Sequence, residues 1–297
     1  MIRRYLLLGC LLLALGMAIM YLYGADMPVL HPQGPVAYAE RSVMIVTLLL
    51  CSIVVVPVFV LLFYFAWKYR ANNPKVENHH EPDWDHTSAT AEVVWWFVPT
   101  AIIVVLSIII WQSSNALDPY KPLGEDPLVI QVVALDWKWL FIYPEQGIAM
   151  VNALELPANR PVKFVLTADA PMNSFWIPSL GGQIMVMPGM STELNLWASH
   201  SGVFKGSSAN MSGNGFSDMT FTVTSVPQND FARWVQSVRL SSNPLTPGVY
   251  DSLALQSRHT PTTYYSSVEG NIYDRVISKF MMPKKSMIGM QDNLLIP

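Results

Sequence analysis

VIQVVALDWKWLFIY, Val129 to Tyr143, is the stretch that decides the fold. Two runs rich in β-branched and aromatic residues, Val129–Leu135 and Trp137–Tyr143, meet at Asp136, and Pro144 closes the second. Such runs, bounded by turn residues, read as strands. The same composition returns at Val162–Thr167, Glu193–Trp197 and Thr220–Val226. Between them stand turn signals: Pro157-Ala158-Asn159, Pro188-Gly189 and Ser201-Gly202. Short strands at this spacing predict an all-β sandwich with Greek-key connections over residues 125–227, and ~100 residues are enough for one core.

Upstream the pattern is different. The chain has 297 residues, of which 13% are charged, and a mean hydropathy of +0.31. Together these predict a membrane protein with an exterior domain. Three apolar runs carry that signal: Tyr5–Tyr23, Ser42–Trp67 and Val93–Leu117. Each is long enough to cross a hydrocarbon core, which takes about 20 helical residues. Residues 1–25 read either as a signal peptide or as an N-terminal transmembrane helix, since Arg3 and Arg4 precede the apolar run and no clear cleavage site follows it. Leu7-Leu8-Gly9-Cys10 has the look of a lipoprotein acylation signal but stands too near the start, so Cys10 reads as a small apolar residue. Residues 42–67 and 93–117 read as a membrane hairpin around a polar loop, 68–92. Lys68, Arg70 and Lys75 put that loop in the cytoplasm, and everything after about residue 118 outside.

Several classes of function fall away. A net charge of −3 gives no footprint for nucleic acid. Cys10 and Cys51 both lie in apolar runs, so the exterior part has neither a disulfide framework nor a thiolate metal site. His79, His80 and His86 share the polar loop with Glu81, Asp83 and Asp85 and read as solvated, and His200 and His259 read as lone surface residues. No P-loop, dinucleotide fingerprint, HExxH, GxSxG or triad spacing occurs, so no independent catalytic site is expected.

After Pro227 the period changes again. Asp230–Leu240 places Phe231, Trp234, Val235 and Val238 at helical spacing, with Asp230 as N-cap. Ile272–Phe280 reads as a second short helix in a segment spanning 228–282, with a Ser-, Thr- and Pro-rich stretch between the two helices, and 283–297 as a loosely held tail. The longest polar excursion is GSSANMSGNGFSDM, Gly206 to Met219, between two strand-like segments. A loop this long in so hydrophobic a chain is expected to be functional or disordered.

A membrane hairpin followed by an exterior sandwich, with Asp136–Glu145 (DWKWLFIYPE) within it, resembles subunit II of the haem–copper respiratory oxidases. Trp137–Ala149 (WKWLFIYPEQGIA), Phe65–Ala71 (FAWKYRA) and the helical tail are similar to the quinol-oxidising branch, of the cytochrome bo type. The resemblance runs from about His31 to Met282. It implies a cupredoxin-like domain in the periplasm, a bacterial inner membrane location, and a place in a proton-pumping ubiquinol oxidase complex that reduces dioxygen to water. It also implies that haems and copper belong to subunit I, that ubiquinol is the substrate of the complex, and that the partners are subunit I, the other subunits and membrane lipid. The alternative is a purely structural or assembly subunit with no part in electron or proton transfer.

The resemblance also gives the polar loop a reading. In cytochrome c-oxidising relatives it holds a binuclear copper centre through Cys-x3-Cys-x3-His-x2-Met, with a Glu between the cysteines and a further His upstream. Here Ser208 and Ser212 stand at the cysteine positions, Asn210 at the glutamate, Phe216 at the histidine and Asn173 at the upstream histidine; Met219 alone remains. Hydroxyls cannot replace bridging thiolates and a phenyl ring cannot ligate, so no copper and no exchange with cytochrome c are expected. Trp137 and Trp139 match the stretch whose aromatics receive electrons in those relatives; without copper beneath them they are expected to pack in the sandwich or against subunit I. Glu92, in Thr90-Ala91-Glu92-Val93-Val94-Trp95, matches the subunit II glutamate near the entrance of a proton channel.

Overall fold

A computed structural model describes residues 27–70 and 88–281, together with position 16. The first apolar run, the histidines of the polar loop and the 283–297 tail lie outside the described residues. Two compact units result, residues 39–118 and the remainder.

The first unit contains most of α1 (Pro35–Lys68) and all of α2 (Ala89–Ala116). Both helices are long and apolar enough to cross a membrane. Each carries an internal proline, Pro57 and Pro99. α1 begins seven residues before the apolar run starts, and α2 begins four before its own. Ser88 is the reason for the second extension: its hydroxyl caps α2 by accepting a 3.4 Å hydrogen bond from the Ala91 amide. Glu92 therefore lies in the first helical turn and not in the loop.

The second unit is built from β1 (Leu128–Leu135), β2 (Lys138–Tyr143), β3 (Ile148–Val151), β4 (Ala153–Pro157), β5 (Val162–Ala168), β6 (Asn173–Trp176), β7 (Gln183–Val186), β8 (Thr192–Leu196), β9 (Gly202–Ser208) and β10 (Thr220–Val226). It continues through α3 (Gln228–Arg239), β11 (Pro244–Leu245), α4 (Pro247–Leu253), β12 (Thr263–Tyr265), β13 (Ser267–Val268) and α5 (Ile272–Met281). One sheet runs β12-β3-β2-β1-β5-β8 and the other β4-β10-β9-β6-β7, while β11 and β13 form a separate pair. The sandwich is mixed: β1 pairs with β5, and β4 with β10, in parallel.

β2 explains the stretch that opened the sequence. All six of its residues are buried. Trp139, Phe141 and Tyr143 face the other sheet and join the main core, alongside Phe164, Phe175, Phe221 and Phe231. Leu140 and Ile142 face the opposite way, into a second core closed by Leu245, Tyr250, Tyr265, Ile272, Tyr273 and Val276. A strand covered on both faces has no polar side to present, hence WKWLFIY without alternation. The C-terminal segment is thus the second cover of the six-stranded sheet, and its Ser-, Thr- and Pro-rich middle holds β11, α4, β12 and β13. α3 packs Phe231, Val235 and Val238 on the main core. Its N-cap is Pro227, without a side-chain cap, and Asp230 sits in the first turn instead of at the cap.

Residues 28–37 belong with the sandwich. The Gln33 amide donates to Ser179 O at 2.7 Å, the Ser199 amide to Gln33 O at 2.8 Å, and the Ala37 amide to Leu180 O at 3.2 Å. A Cβ on Gly34 would meet Trp197 O at 2.4 Å, so only glycine permits this approach.

Candidate functional site

The excursion between β9 and β10 is shorter than its composition suggests. Gly206, Ser207 and Ser208 are strand residues, with Gly206 opposite Phe221 and Ser207 opposite Thr220. The chain then loops out and returns through one 3-10 turn, Phe216–Asp218. Close contact sets the glycines. A Cβ on Gly206 would fall 2.1 Å from the Phe221 ring, and one on Gly215 2.2 Å from the Trp137 ring. Gly213 has φ +119°, and a Cβ there would be 3.3 Å from the same indole.

Trp137 is the platform for this loop. It occupies the turn between β1 and β2 with φ 63°, in the left-handed region. Its ring lies over Gly213 and Gly215, and its Nε1 donates to Ser212 O at 3.4 Å. Trp139 has no such exposure. It is fully buried, edge-to-face with Phe175 at 5.3 Å and Phe221 at 5.8 Å between ring centres. Trp137 belongs to the loop site and Trp139 to the core.

Three of the positions that match copper ligands come together. Ser208 Oγ donates to Asn173 Oδ1 at 3.1 Å and lies 3.2 Å from Asn210 O. Asn173 Nδ2 donates to Pro171 O at 2.8 Å, and Asn210 Nδ2 to Met172 O at 2.9 Å. Asn173 and Ser208 are both buried. The amides therefore sew the 171–173 segment to the loop by hydrogen bonds. Met219 is fully buried in the main core, and its carbonyl accepts from the Ser208 amide at 3.1 Å. Ser212 Oγ is buried without a hydrogen-bond partner among the described residues, and Phe216 is half-buried in the 3-10 turn.

This donor set does not fit a binuclear copper centre. Two hydroxyls, two carboxamides and a phenyl ring offer no bridging thiolate and no imidazole, and one thioether is a weak ligand. Among the described residues no group of three or more His, Cys, Asp or Glu side chains is placed to hold a metal ion.

Residues that sequence reasoning missed lock the C-terminal segment over this loop. Arg258 places Nε and Nη2 at 2.9 and 2.8 Å from Asp218 Oδ2, and His259 Nε2 lies 3.4 Å from the same oxygen. The Arg258 hydrogen bond is the main reason the Asp218 carboxyl sits below its ordinary pKa. His259, expected alone on the surface, is exposed but belongs to this cluster. Lys138 is 1% exposed on β2 and donates through Nζ to Leu255 O at 2.8 Å and Ser257 Oγ at 2.6 Å. Burial pushes its pKa down, and nearby Asp136 opposes the shift. Asn152 receives the Trp139 amide at 2.9 Å and donates to Thr260 O at 2.8 Å. Nothing in the local sequence marks the pairs that reach residues 255–260, because their members lie 40 to 119 residues apart.

Glu92 stands apart from the loop site. It shares one face of α2 with Ala89, Val93, Trp96 and Thr100, and Ser88 precedes it as the cap. A carboxylate in the first turn complements the helix dipole.

Comparison with known proteins follows the same division. Residues 146–226 match the family described as "Cytochrome C oxidase subunit II, periplasmic domain", and residues 239–284 match "COX Aromatic Rich Motif". The cytochrome bo(3) ubiquinol oxidase subunit 2 of Pseudomonas aeruginosa is 47% identical over 259 residues, 86% of this chain and 77% of that one. The ubiquinol oxidase subunit 2 of Acetobacter aceti is 44% identical over 263 residues, 87% of this chain and 84% of that one. The quinol oxidase subunit 2 of Bacillus cereus is 36% identical over 254 residues, 81% and 87% of the two chains. With two apolar helices, a cupredoxin-like sandwich and the aromatic-rich segment all in place, the chain belongs to the ubiquinol oxidase branch of the haem–copper oxidase subunit II family.

Proposed function

We propose that this chain is the electron-inert subunit II of a proton-pumping ubiquinol oxidase in a bacterial inner membrane. It supports subunit I with its two helices and caps the periplasmic face with a copper-free cupredoxin domain. Ubiquinol is oxidised and dioxygen reduced to water by groups held in subunit I, without cytochrome c and without an active site in this chain. The observation that carries this reading is the Ser208–Asn173 hydrogen bond, at 3.1 Å, between two positions that match copper ligands. The Ser208 hydroxyl proton is spent on the Asn173 carboxamide oxygen, and the carboxamide nitrogens of Asn173 and Asn210 are spent on the backbone carbonyls of Pro171 and Met172.

The test is to put the ligands back. The oxidase carrying Asn173→His, Ser208→Cys, Asn210→Glu, Ser212→Cys and Phe216→His, loaded with copper under reducing conditions and reoxidised, is expected to gain thiolate-to-copper absorption that the native complex lacks. Such absorption in the native complex, or its absence in a folded quintuple variant, would sink the reading.

Glu92 is proposed as a proton entrance. Its support is position: a carboxylate in the first turn of an apolar helix, at the predicted cytoplasmic border, beside Trp96 and Thr100. Glu92→Gln is expected to slow proton-coupled haem reduction by about a hundredfold, the low end for loss of one positioned proton-transfer group, while leaving subunit assembly intact. Unchanged turnover and pumping would remove Glu92 from the proton path and favour a purely structural role.

A further inference from the structure

Between two anchored elements the aromatic-rich segment crosses the sandwich as a strap. α4 ends at Leu253, which packs on the second core with Ala254, and β12 closes the same core with Tyr265. Residues 255–262 between them are exposed or half-buried, and Leu255 is 69% exposed. Among the described residues, no amide of residues 256–260 donates to a backbone carbonyl. A stretch with neither apolar burial nor a backbone ladder belongs to the least stable part of a fold.

Side chains hold it instead. Alternation along β2 puts Lys138 on the face of Leu140 and Ile142, under the C-terminal segment. Its Nζ reaches Leu255 O at 2.8 Å, Ser257 Oγ at 2.6 Å and Asp136 O at 3.5 Å. Ser257 Oγ pairs with Thr260 Oγ1 at 2.8 Å, and Asn152 Nδ2 donates to Thr260 O at 2.8 Å. Arg258 takes Asp218, in the 3-10 turn of the loop, at 2.9 and 2.8 Å. Lifting the strap breaks all of these contacts together.

The Lys138 anchor works against its own hydration. A side-chain charge that is 1% exposed ordinarily has a charged partner. Here all three acceptors are neutral, two carbonyls and a hydroxyl. The charge of Asp136 favours the ammonium but does not offset burial. Arg258 and His259 on the strap and Asp218 on the loop are engaged with one another. Closing the strap costs Lys138 its water, and opening returns it.

We propose that residues 255–260 form a strap that opens as one unit, that the buried ammonium of Lys138 keeps it poised to open, and that opening frees the 209–218 loop by withdrawing Arg258 from Asp218. The C-terminal segment and the loop are thereby coupled through one local opening. Burial lowers the Lys138 pKa in the closed strap, and opening restores the ordinary value. Between those two values the closed strap binds fewer protons than the open one, so closure strengthens as the pH rises. The strap is loosest at neutral pH and tightens toward the ordinary lysine value of about 10.4.

The experiment uses the purified oxidase complex and an amine-reactive acetylating reagent, with modified lysines read by mass spectrometry. Lys138 is expected to react measurably at neutral pH, at a rate about tenfold or more below that of exposed Lys205, because it reacts only through the open state. Arg258→Gln removes a charge-assisted lock and is expected to raise the Lys138 rate about tenfold. It should also speed hydrogen exchange at the Phe216 and Asp218 amides, which donate to Gly213 O and Gly215 O, while β1 and β5 exchange at native rates. In the native complex the protection of those two loop amides, corrected for intrinsic exchange, should rise from about pH 7 to about pH 10, and in Lys138→Met it should stay flat. Lys138 reacting as fast as Lys205 in the native complex would overturn the proposal. So would an unchanged Lys138 rate in Arg258→Gln, a faster rate there with the loop amides unmoved, or the same rise with pH in Lys138→Met. Should Lys138→Met fail to assemble, Ser257→Ala decides: faster Lys138 modification supports the strap, and a native rate counts against it.

Discussion

Gly206→Ala is expected to destabilise the sandwich by about 3 kcal/mol, the upper part of the range for overfilling a packed core. The added Cβ would meet three Phe221 ring atoms at 2.1, 2.2 and 2.6 Å. The ring cannot swing clear. It stacks on Phe175 at 5.2 Å and 11°, and lies 5.1 Å from Phe141 between centres. Either Phe221 leaves its rotamer or β9 leaves its register with β10. Urea unfolding of the solubilised subunit, followed by tryptophan fluorescence, should show a lower midpoint at unchanged slope. Phe221→Leu added to Gly206→Ala should recover at least about 1 kcal/mol relative to the sum of the single changes, because the two sites touch. Gly248→Ala is the control: an added Cβ meets nothing within 4 Å, and the helical position favours alanine. Equal midpoints for Gly206→Ala and Gly248→Ala would mean that the contact with Phe221 does not require glycine.

The same contact shows what the sequence could and could not express. The glycines of the 206–219 stretch are visible as letters, but the rings that require them come from Trp137 and Phe221. The strands rich in β-branched and aromatic residues were legible: β1, β2, β5, β8 and β10 each lie within a residue or two of their expected bounds. β3 and β4 were not, because Asn152, at φ 56°, splits them into four- and five-residue pieces. β6 and β7 are four residues each and carry Asn, Ser and Gln. The continuous apolar run of β2 was read correctly as a strand, yet the cause of its continuity lies more than a hundred residues away, in Leu245, Tyr250 and Tyr265. The candidate site divides in the same way. Residue types at 173, 208 and 210 carried the expectation that the loop holds no copper. Their hydrogen bonds, and the capture of Asp218 by Arg258, depend on pairings that no local pattern encodes.

Asp169→Ala is expected to release the aromatic-rich segment from the sandwich while leaving the two-sheet core folded. Asp169 follows β5, and its amide donates to Ala134 O at 2.9 Å, so its backbone is fixed to the sheet. Its side chain is 3% exposed, and its two oxygens receive different helices: Tyr250 OH of α4 at 2.8 Å and Lys279 Nζ of α5 at 2.6 Å. Burial first, and the charge of Asp169 second, push the Tyr250 hydroxyl well above the usual tyrosine range, so it remains a donor throughout the physiological pH range. Removing the carboxylate strands that hydroxyl and unpairs Lys279 together. A cost of about 3 kcal/mol follows, at the low end for breaking a buried pair, because the ammonium of Lys279 still reaches water. Tyr250→Phe and Lys279→Gln should each cost about 1 kcal/mol, since each leaves the carboxylate one partner. Hydrogen exchange locates the effect. In Asp169→Ala the amides of α4 and α5 should exchange faster while those of β1 and β5 hold, because the outer cover of the six-stranded sheet is lifted and its inner face stays packed. Unchanged exchange in both helices would show that Ile272, Tyr273 and Val276 hold the segment by apolar contact alone, and that the carboxylate is dispensable.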